Sequence, residues 1–372
     1  MKLEPFEMER MQSQWENRVA HNLSESGVHP MTVGDLLTPE EHQEFFRNRL
    51  IYVQSNGTPE LRAAIAALYH GATADNVVVT NGTAEANYIS IWRLVEPGDD
   101  VVMMLPNYMQ IWGVIRSQGA SVVPLALREE NRWDLDVDDL RRAVTPRTRL
   151  IALCNPNNPT GSILPAEIMR EVARIAAQHG LWILVDEVYR GAEREGSETP
   201  SFWGMHDRLL VTCGLSKAYG LPGLRIGWVV GPAETIAELW GRKDYTTISP
   251  GTLSDFLARK VLRPVTRRRV LERTRQVIRR NYPLLEAWVA RRGSALHVIP
   301  PKAGAIAYMR YSWRVNSTEL VTRLRDEQSV LIVPGDQFGM DGYLRVGFGN
   351  EPDELKAGLA HMDGLLDTLP LP

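Results

Sequence analysis

Residues 214–227 read Gly-Leu-Ser-Lys-Ala-Tyr-Gly-Leu-Pro-Gly-Leu-Arg-Ile-Gly, with Lys217 eight residues ahead of Arg225. This arrangement suits a lysine that condenses with an aldehyde, because a primary amine attacks a carbonyl only when it is unprotonated. We expect burial, or the positive charge of Arg225, to lower the pKa of Lys217, and Arg225 to pair with a phosphate. The glycines let the backbone pass close to a ligand. A surface lysine in a glycine-rich loop is the alternative interpretation of this stretch taken alone.

A second motif, Asp186-Glu187-Val188-Tyr189, directly follows the apolar run Leu181–Val185. Such a run predicts a buried parallel strand, and open α/β sheets bind ligands at the C-terminal edge of their strands. Asp186 is therefore a candidate ligand-binding carboxylate. A helix cap or a turn former is the alternative for an aspartate at this position.

Strand-like and helical segments alternate from about residue 41 to residue 263 and predict a mostly parallel sheet covered by helices. The strand-like runs are Val77–Thr80, Val101–Leu105, Ser121–Pro124, Leu150–Cys154, Leu181–Val185 and Leu209–Cys213. Later strand-like runs lie at Ala305–Arg310, Val330–Val333 and Tyr343–Phe348, and Glu351–Leu366 reads as a closing helix. We predict a large domain of residues 41–263 and a small α/β domain of residues 1–40 plus 264–372. The active site is expected in the cleft between them and at a subunit boundary.

These motifs, with Asn-Pro-Asn-Asn-Pro-Thr-Gly at residues 155–161, resemble those of the fold type I pyridoxal-phosphate (PLP) enzymes of the aspartate aminotransferase family. The resemblance covers nearly the whole chain. It implies a fold type I transferase in which PLP forms a Schiff base with Lys217. It also implies that Asp186 keeps the pyridine nitrogen of PLP protonated, so that the ring draws electrons from the substrate.

The same resemblance implies the other cofactor contacts. They are Gly82, Thr83 and Ala84 as a phosphate cup at a helix start, Tyr108 stacked on the ring, Asn158 and Tyr189 at the phenolic oxygen, and Arg225 at the phosphate. Backbone N–H groups at a helix start suit a phosphate. Lys217, Asp186 and Tyr108 are the expected catalytic residues. For Tyr108, packing in the core is the alternative.

Two further matches concern the substrate and the partner subunit. Tyr52 stands ahead of Gly-Thr-Pro-Glu-Leu-Arg at residues 57–62, where the family has a tyrosine that reaches the phosphate of the neighbouring subunit. The resemblance thus implies a homodimer with shared active sites, although a buried core tyrosine is the alternative. Arg345, in the strand-like Tyr343–Phe348, matches the arginine that clamps the substrate α-carboxylate as a bidentate pair. Gly27 and Asn158 are expected beside the substrate.

The chain departs from the common family pattern in two places. Gly214 stands where a serine or threonine often donates a hydroxyl to the phosphate, and Thr212 or Ser216 are the expected substitutes. Residues 22–30 read Asn-Leu-Ser-Glu-Ser-Gly-Val-His-Pro and resemble the capreomycidine synthases, fold type I enzymes that cyclise a substrate derived from hydroxyarginine. His29 is then either a functional group that titrates near neutral pH or an ordinary surface residue.

Composition excludes several other classes of protein. The 372 residues carry 42 Lys plus Arg against 45 Asp plus Glu, so no basic field points to nucleic acid. Cys154 and Cys213 are too few for a disulfide scaffold, and no Cys/His cluster predicts a metal site. With so few cysteines we expect a reducing cytoplasm, and neither a signal peptide nor a membrane span is predicted.

Two charged or apolar patterns read as structural. Met8, Met11, Trp15 and Val19 recur at helical spacing and predict an amphipathic first helix, packed on the body or across a dimer. The arginine-rich segment 263–280 keeps an apolar stripe at Val270, Thr274, Val277 and Ile278, so we interpret it as a helix with a solvated face.

The expected reaction is transfer of an amino group from an L-amino acid to a 2-oxo acid by a ping-pong mechanism. Arg345 holds the carboxylate and Lys217 removes the α-proton. The alternative is elimination and ring closure on a hydroxyarginine-type amino acid, as the resemblance of residues 22–30 allows. An effector-binding module of a DNA-binding regulator is disfavoured, because that class has an added N-terminal domain and few residues precede the Tyr52 element.

Overall fold

The computed structural model describes residues 3–370. Its strands are β1 (His21–Asn22), β2 (Val77–Thr80), β3 (Asp100–Leu105), β4 (Ser121–Ala126), β5 (Thr148–Cys154), β6 (Trp182–Asp186), β7 (Leu209–Gly214), β8 (Gly227–Val230), β9 (Leu296–Val298), β10 (Ile306–Tyr311), β11 (Val330–Leu331), β12 (Val333–Pro334) and β13 (Tyr343–Gly347).

Its α-helices are α1 (Glu7–Trp15), α2 (Val33–Leu36), α3 (Pro39–Phe46), α4 (Pro59–Ala66), α5 (Thr83–Leu94), α6 (Gln110–Ser117), α7 (Val137–Ala143), α8 (Ala166–His179), α9 (Ala233–Lys243), α10 (Thr252–Val261), α11 (Pro264–Arg291), α12 (Ser317–Gln328) and α13 (Pro352–Leu366). Short 3-10 turns lie at Ala74–Asn76, Glu129–Asn131, Pro222–Leu224, Gly293–Ala295 and Gly335–Phe338.

A mostly parallel sheet of seven strands forms the centre, in the order β2-β8-β7-β6-β5-β3-β4. Strands β3 to β7 pair in parallel with their neighbours in this set. The apolar runs of β6 and β7 are buried along their whole length, as expected when helices cover both faces of a sheet. The predicted fold class, α/β with a mostly parallel sheet, is therefore confirmed.

The direction of the strands explains why the sequence motifs meet. Because β3, β5, β6 and β7 are parallel, the segments that follow them leave the sheet at the same edge. Strand β2 is antiparallel to β8, and β8 is antiparallel to β7, so β2 runs with β7 and also ends at this edge. Thr83, Tyr108, Asn158, Asp186 and Lys217 all lie on or just beyond these strand ends.

Strand β8 is a departure from the simple βα alternation. It follows the lysine loop with only a 3-10 turn between β7 and itself, and it runs antiparallel between β2 and β7. The short connection requires the reversal, since a parallel neighbour needs a long crossover.

A second sheet, in the order β12-β13-β10-β9, is antiparallel. One of its two inner strands, β13, carries Arg345, which pairs in register with Tyr308 on β10. The N-terminal strand β1 pairs in parallel with β11 and so ties residues near the start of the chain to this part of the molecule. The division into domains at residues 41 and 263 stays a prediction.

The two helices anticipated from periodicity are present with changed limits. Helix α1 ends at Trp15, so Val19 lies outside it, and Met8 is its buried apolar side chain. Helix α11 buries Val270, Thr274, Val277 and Ile278, as the apolar stripe predicted. Its arginines are not all solvated, because Arg267 binds Glu198 at 2.7 Å and Arg275 binds the buried Glu193 at 2.6 Å. Within residues 3–370, no helix is both long and apolar enough to cross a membrane.

Candidate active site

A cavity of about 320 Å³ lies at the sheet edge where the motifs meet. Its lining includes most of the residues proposed from the sequence, namely Thr83, Ala84, Tyr108, Asn158, Asp186, Tyr189, Ser216, Lys217, Arg225 and Arg345. Gly82 and Gly27 adjoin it: Gly82 lies against the Arg225 guanidinium, and Gly27 lies beside Lys217 and Glu25. Tyr52 is 84% exposed and stands apart from the cavity.

Lys217 is held by a carboxylate. Its Nζ donates to Oε1 of Glu25 at 2.5 Å, and the same oxygen accepts the backbone N–H groups of Ser26 and Gly27. Burial alone lowers the pKa of Lys217, but the Glu25 carboxylate outweighs it and the pKa is raised. The lowered pKa that we predicted is therefore wrong for this arrangement. Arg225 does not supply the neighbouring cation either, because Arg345 is the arginine whose charge acts on Lys217.

Asp186 ends strand β6 and is the buried carboxylate of the cavity. Burial raises its pKa to about 6, although hydrogen bonds from Asn87 and from the N–H of Val188 act in the opposite direction. Nδ2 of Asn87 donates to Oδ2 of Asp186 at 3.0 Å, and the hydroxyl of Thr212 donates to Oδ1 of Asn87 at 2.7 Å. The other oxygen of Asp186, Oδ1, accepts the backbone N–H of Val188 at 3.0 Å, so both oxygens of the carboxylate are held. The Thr212 hydroxyl is engaged by Asn87, so of the two predicted substitutes for the hydroxyl missing at Gly214, Ser216 is the one that lines the cavity.

The start of helix α5 forms an anion cradle. Gly82 precedes the helix with φ +84, and its lack of a side chain lets the Arg225 guanidinium lie against the loop. Arg225 is exposed and donates weakly to Oγ of Ser216 at 3.4 Å. Oγ1 of Thr83 is buried and makes no hydrogen bond with any described residue. Unpaired N–H groups, an arginine and a free hydroxyl therefore converge at one helix N-terminus, the preferred site for a phosphate.

The geometry also accounts for glycine at position 214. A Cβ at Gly214 would lie 2.6 Å from Oγ1 of Thr83 and 2.9 Å from the carbonyl oxygen of Ile226. Both distances are shorter than van der Waals contact allows. The hydroxyl of Thr83 thus occupies the space that a serine or threonine at 214 would need.

Arg345 enters the cavity from strand β13 and is 1% exposed. Its Nη1 donates to Oδ1 of Asn158 at 3.0 Å and its Nη2 donates to the carbonyl oxygen of Ser24 at 2.6 Å, while Nε has no partner among the described residues. Asn158, which the sequence placed at the cofactor, therefore also orients the arginine. Burial lowers the pKa of Arg345, and the nearby Tyr189 and Glu25 raise it in part.

The two tyrosines of the site each have a hydrogen-bond partner near the N-terminus. Tyr108 donates its hydroxyl to Oε1 of Glu9 at 2.8 Å and packs edge-on against Phe6. Tyr189 donates to Oγ of Ser26 at 2.9 Å. Burial raises the pKa of Tyr189 to about 12, so its hydroxyl remains a donor at neutral pH.

Several residues of the cavity were not predicted from the sequence. Glu9, Gln12 and Glu16 come from helix α1 and its C-cap, and Asn87 lies four residues after Thr83 on α5. Spacing of one helical turn on the same face was the available signal for Asn87. No sequence signal placed α1, whose Gln12 donates to the carbonyl oxygen and hydroxyl of Ser24.

His29 lies outside the cavity, between Nη2 of Arg273 at 2.8 Å and the Glu351 carboxylate at 3.3 Å. Burial and the Arg273 charge lower its pKa. Cys154 lines the cavity as a buried thiol whose pKa is raised by burial. Among residues 3–370, no group of three or more His, Cys, Asp or Glu side chains is arranged to hold a metal ion.

The residues of the cavity fit PLP at its phosphate and at its pyridine nitrogen. The cradle of Gly82, Thr83 and Arg225 offers an orphaned hydroxyl and a cation to a phosphate. Asp186 offers a buried carboxylate to a ring nitrogen. A buried carboxylate without a cation is costly, and a protonated pyridine provides that cation.

Comparison with known proteins agrees with this chemistry. The model of the family "aminotransferase class I and II" matches residues 24–362. Capreomycidine synthase of Streptomyces vinaceus is 34% identical over 93% of this chain and 90% of its own length, and arginine–pyruvate transaminase of Pseudomonas aeruginosa is 31% identical over 81% and 79%. The crystal structure of a PLP-dependent aminotransferase from Streptococcus suis superposes with a TM-score of 0.93 at 30% identity, over all of both chains.

The chain therefore belongs to the class I and II aminotransferase family, whose members are PLP-dependent enzymes of fold type I. The family resemblance inferred from the motifs is confirmed.

Proposed function

We propose that this protein is a PLP-dependent aminotransferase that moves an amino group from an L-amino acid to a 2-oxo acid by a ping-pong mechanism. The observation that carries the proposal is the convergence of Lys217, Asp186 and Arg345 on one cavity. Each supplies one function that the reaction requires: a base, a partner for a protonated ring nitrogen, and a cation for the substrate carboxylate.

The cofactor would be held from its two ends. Gly82, Thr83, Ala84 and Arg225 would bind the phosphate, with Ser216 beside Arg225. Asn158 and Tyr189 would contact the phenolic oxygen, and Tyr108 would pack on the ring. PLP supplies an aldehyde that condenses with amines and a ring that accepts electrons from the substrate α-carbon.

Each protein group then has a defined task. Asp186 keeps the proton on the pyridine nitrogen, because a buried carboxylate, whose pKa is raised by burial, is stabilised by an adjacent cation. Arg345 binds the α-carboxylate as a fork and is pre-oriented by Asn158 and by the carbonyl of Ser24. Lys217 takes the α-proton at Nζ, for which its ammonium must first lose a proton. Glu25 opposes that loss and so controls the pH at which Lys217 becomes a base.

A second candidate is elimination and ring closure on a hydroxyarginine-type amino acid. It is supported by the 34% identity to capreomycidine synthase and by residues 22–30, whose Glu25 and Ser26 line the cavity. Both reactions start with removal of the α-proton by Lys217. They differ in whether an oxo acid is needed to complete the turnover.

We also propose a homodimer with shared active sites. Tyr52 is 84% exposed and is flanked by Leu50, 81% exposed, and Phe46, 79% exposed. Large apolar side chains grouped on a surface favour a protein interface. The cytoplasmic location stays a prediction from the sequence.

The test is a titration of the PLP-loaded protein with a panel of L-amino acids, followed by visible absorption, with oxo-acid and amino-acid products analysed in the same samples. Conversion of the cofactor to its aminated form, reversed by a 2-oxo acid, supports transamination. A cyclic product from hydroxyarginine without any oxo acid supports the second candidate. Lys217→Ala must abolish both, and a fully active Lys217→Ala variant overturns the proposal.

A further inference from the structure

Three glutamates line the cavity beside the residues that would bind the cofactor and the substrate carboxylate. Glu9 and Glu16 lie seven residues apart, the last at the C-cap of helix α1, and therefore face the same side of the helix after about two turns. Glu25 reaches the cavity from the segment between β1 and α2. Helix α1 is anchored over the cavity by Met8, which is buried, and by the hydrogen bonds of Gln12 to Ser24.

Among the described residues, only Glu25 of these three carboxylates pairs with a cation. Glu25 pairs with Lys217, and Glu9 accepts the hydroxyl of Tyr108. The side chain of Glu16 makes no hydrogen bond or ion pair with another described residue, although it is half-buried. Burial, and then the charges of Glu25 and Glu9, raise the pKa of Glu16. The charged form of Glu16 is therefore stabilised by a ligand that brings positive charge into the cavity.

A second feature of the same cavity points independently to a ligand. Arg345 is 1% exposed, lines the cavity and has an Nε atom without a partner among the described residues. A buried guanidinium with an unused donor is suited to an anion. One ligand that satisfies both ends carries a carboxylate for Arg345 and a cation for Glu16 and the glutamates near it.

We infer that Glu16, with Glu9 and Glu25, selects an amino acid donor whose side chain ends in a guanidinium or ammonium group. This inference rests on the proposed function, because it assigns the side-chain end of the substrate whose α-carboxylate Arg345 binds. Glu16 is the main selecting residue, since Glu9 and Glu25 already have partners in the protein. A neutral side chain of equal length leaves Glu16 without a partner in a partly desolvated site.

The test uses competitors that lack an amino group and so bind without chemistry. Inhibition assays or calorimetry measure how tightly the PLP-loaded protein binds 5-guanidinopentanoate and heptanoate, an acid of similar length whose tail is uncharged. We expect the guanidino acid to bind at least about tenfold more tightly, the effect of one charge-assisted hydrogen bond. Glu16→Gln should remove most of that preference, while Glu7→Gln, a change of an exposed acid on the same helix that does not line this cavity, should retain it.

The outcomes separate this inference from the proposed function. Equal binding of the two acids by the wild type, or an equal loss for both in Glu16→Gln, overturns the inference. A preference for the guanidino acid that is lost in Glu16→Gln supports the inference. If, in addition, no amino acid of the panel is converted, only the proposed function is overturned. If the protein transfers the amino group of neutral amino acids efficiently, and arginine is no better a donor than citrulline, the inference is overturned. The proposed aminotransferase activity is supported in that case.

Discussion

Glu25 and Lys217 lie 192 residues apart in the chain and form an ion pair of 2.5 Å at the centre of the cavity. The lysine lowers the pKa of Glu25 to about 2, against the effect of burial, and Glu25 raises the pKa of Lys217. Both groups are therefore charged from about pH 2 up to the raised pKa of the lysine. In the cofactor-free protein Lys217 is therefore an ammonium ion at neutral pH.

Glu25→Gln should make Lys217 a better nucleophile at neutral pH. Removal of the carboxylate lowers the pKa of Lys217, so more of the amine is neutral at pH 7. We expect PLP to be captured roughly two- to fivefold faster at pH 7, the range for a partly exposed ion pair. Stopped-flow absorbance of the cofactor-free protein mixed with PLP measures this rate. A slower capture at pH 7 would contradict the assigned role.

Asn87→Ala should shift the pH profile of the reaction. Asn87 donates to the Asp186 carboxylate and so lowers a pKa that burial raises to about 6. Loss of the donor raises this pKa further. As the pH is lowered, Asp186 is therefore protonated at a higher pH in the variant than in the wild type. We expect the acid limb of kcat to move up by roughly 0.5 to 1 pH unit, the effect of a hydrogen bond of about 1 kcal/mol.

The pH dependence of kcat between pH 5 and 9 checks that expectation. Ser90→Ala is the matched control, because Ser90 lies on the same helix and its buried hydroxyl has no hydrogen-bond partner among the described residues. An acid limb that stays in place in Asn87→Ala, or moves equally in Ser90→Ala, would rule out control of Asp186 by Asn87.

Thr83→Val should weaken PLP binding through its phosphate. Valine has the shape of threonine but lacks the hydroxyl, which is buried and unpaired beside the phosphate cradle. We expect a loss of about tenfold to hundredfold in PLP affinity, as for a hydrogen bond to a charged group. Equilibrium absorbance titration of PLP and of pyridoxal, which has no phosphate, separates the effect. Thr83→Ser should retain affinity, and an equal loss for pyridoxal would refute a phosphate contact.

Arg345→Lys should impair the substrate step and spare the cofactor. Lysine keeps the charge but loses the fork and the donor to Asn158. We expect kcat/KM for the amino acid to fall roughly hundredfold, within the range for loss of a buried charged pair, with PLP affinity unchanged. Steady-state kinetics together with a PLP titration measure both quantities. A variant with normal kcat/KM would remove Arg345 from the carboxylate site.

Much of the architecture could be predicted because buried parallel strands leave an obvious pattern. The run Val77–Thr80 forms a strand with those limits, and the strands before Asp186 and Lys217 begin or end within a residue of the predicted positions. Strand β8 (Gly227–Val230) was not predicted, because no helix separates it from the lysine loop. Its reversed direction depends on that short connection.

Site residues could be predicted when they stand in a recognisable local motif. Residues that reach the cavity from distant segments of the chain could not. Lys217, Asp186 and Arg345 stand in recognisable local patterns and share the cavity. Glu25 and Glu16 come from the N-terminal residues, and only tertiary packing brings them to Lys217. The sign of the pKa shift of Lys217 was wrong for the same reason, because the deciding carboxylate lay outside the local motif.

The close packing around the start of helix α5 sets how this enzyme can change. A Cβ at Gly227 would lie 2.5 Å from the backbone nitrogen of Thr83, and one at Gly214 would lie 2.9 Å from the backbone oxygen of Ile226. Main-chain atoms cannot rotate away as a side chain can, so neither glycine tolerates enlargement. On the proposed function, evolved or engineered changes in phosphate binding therefore fall on side chains such as Thr83, Ser216 and Arg225 rather than on these two glycines.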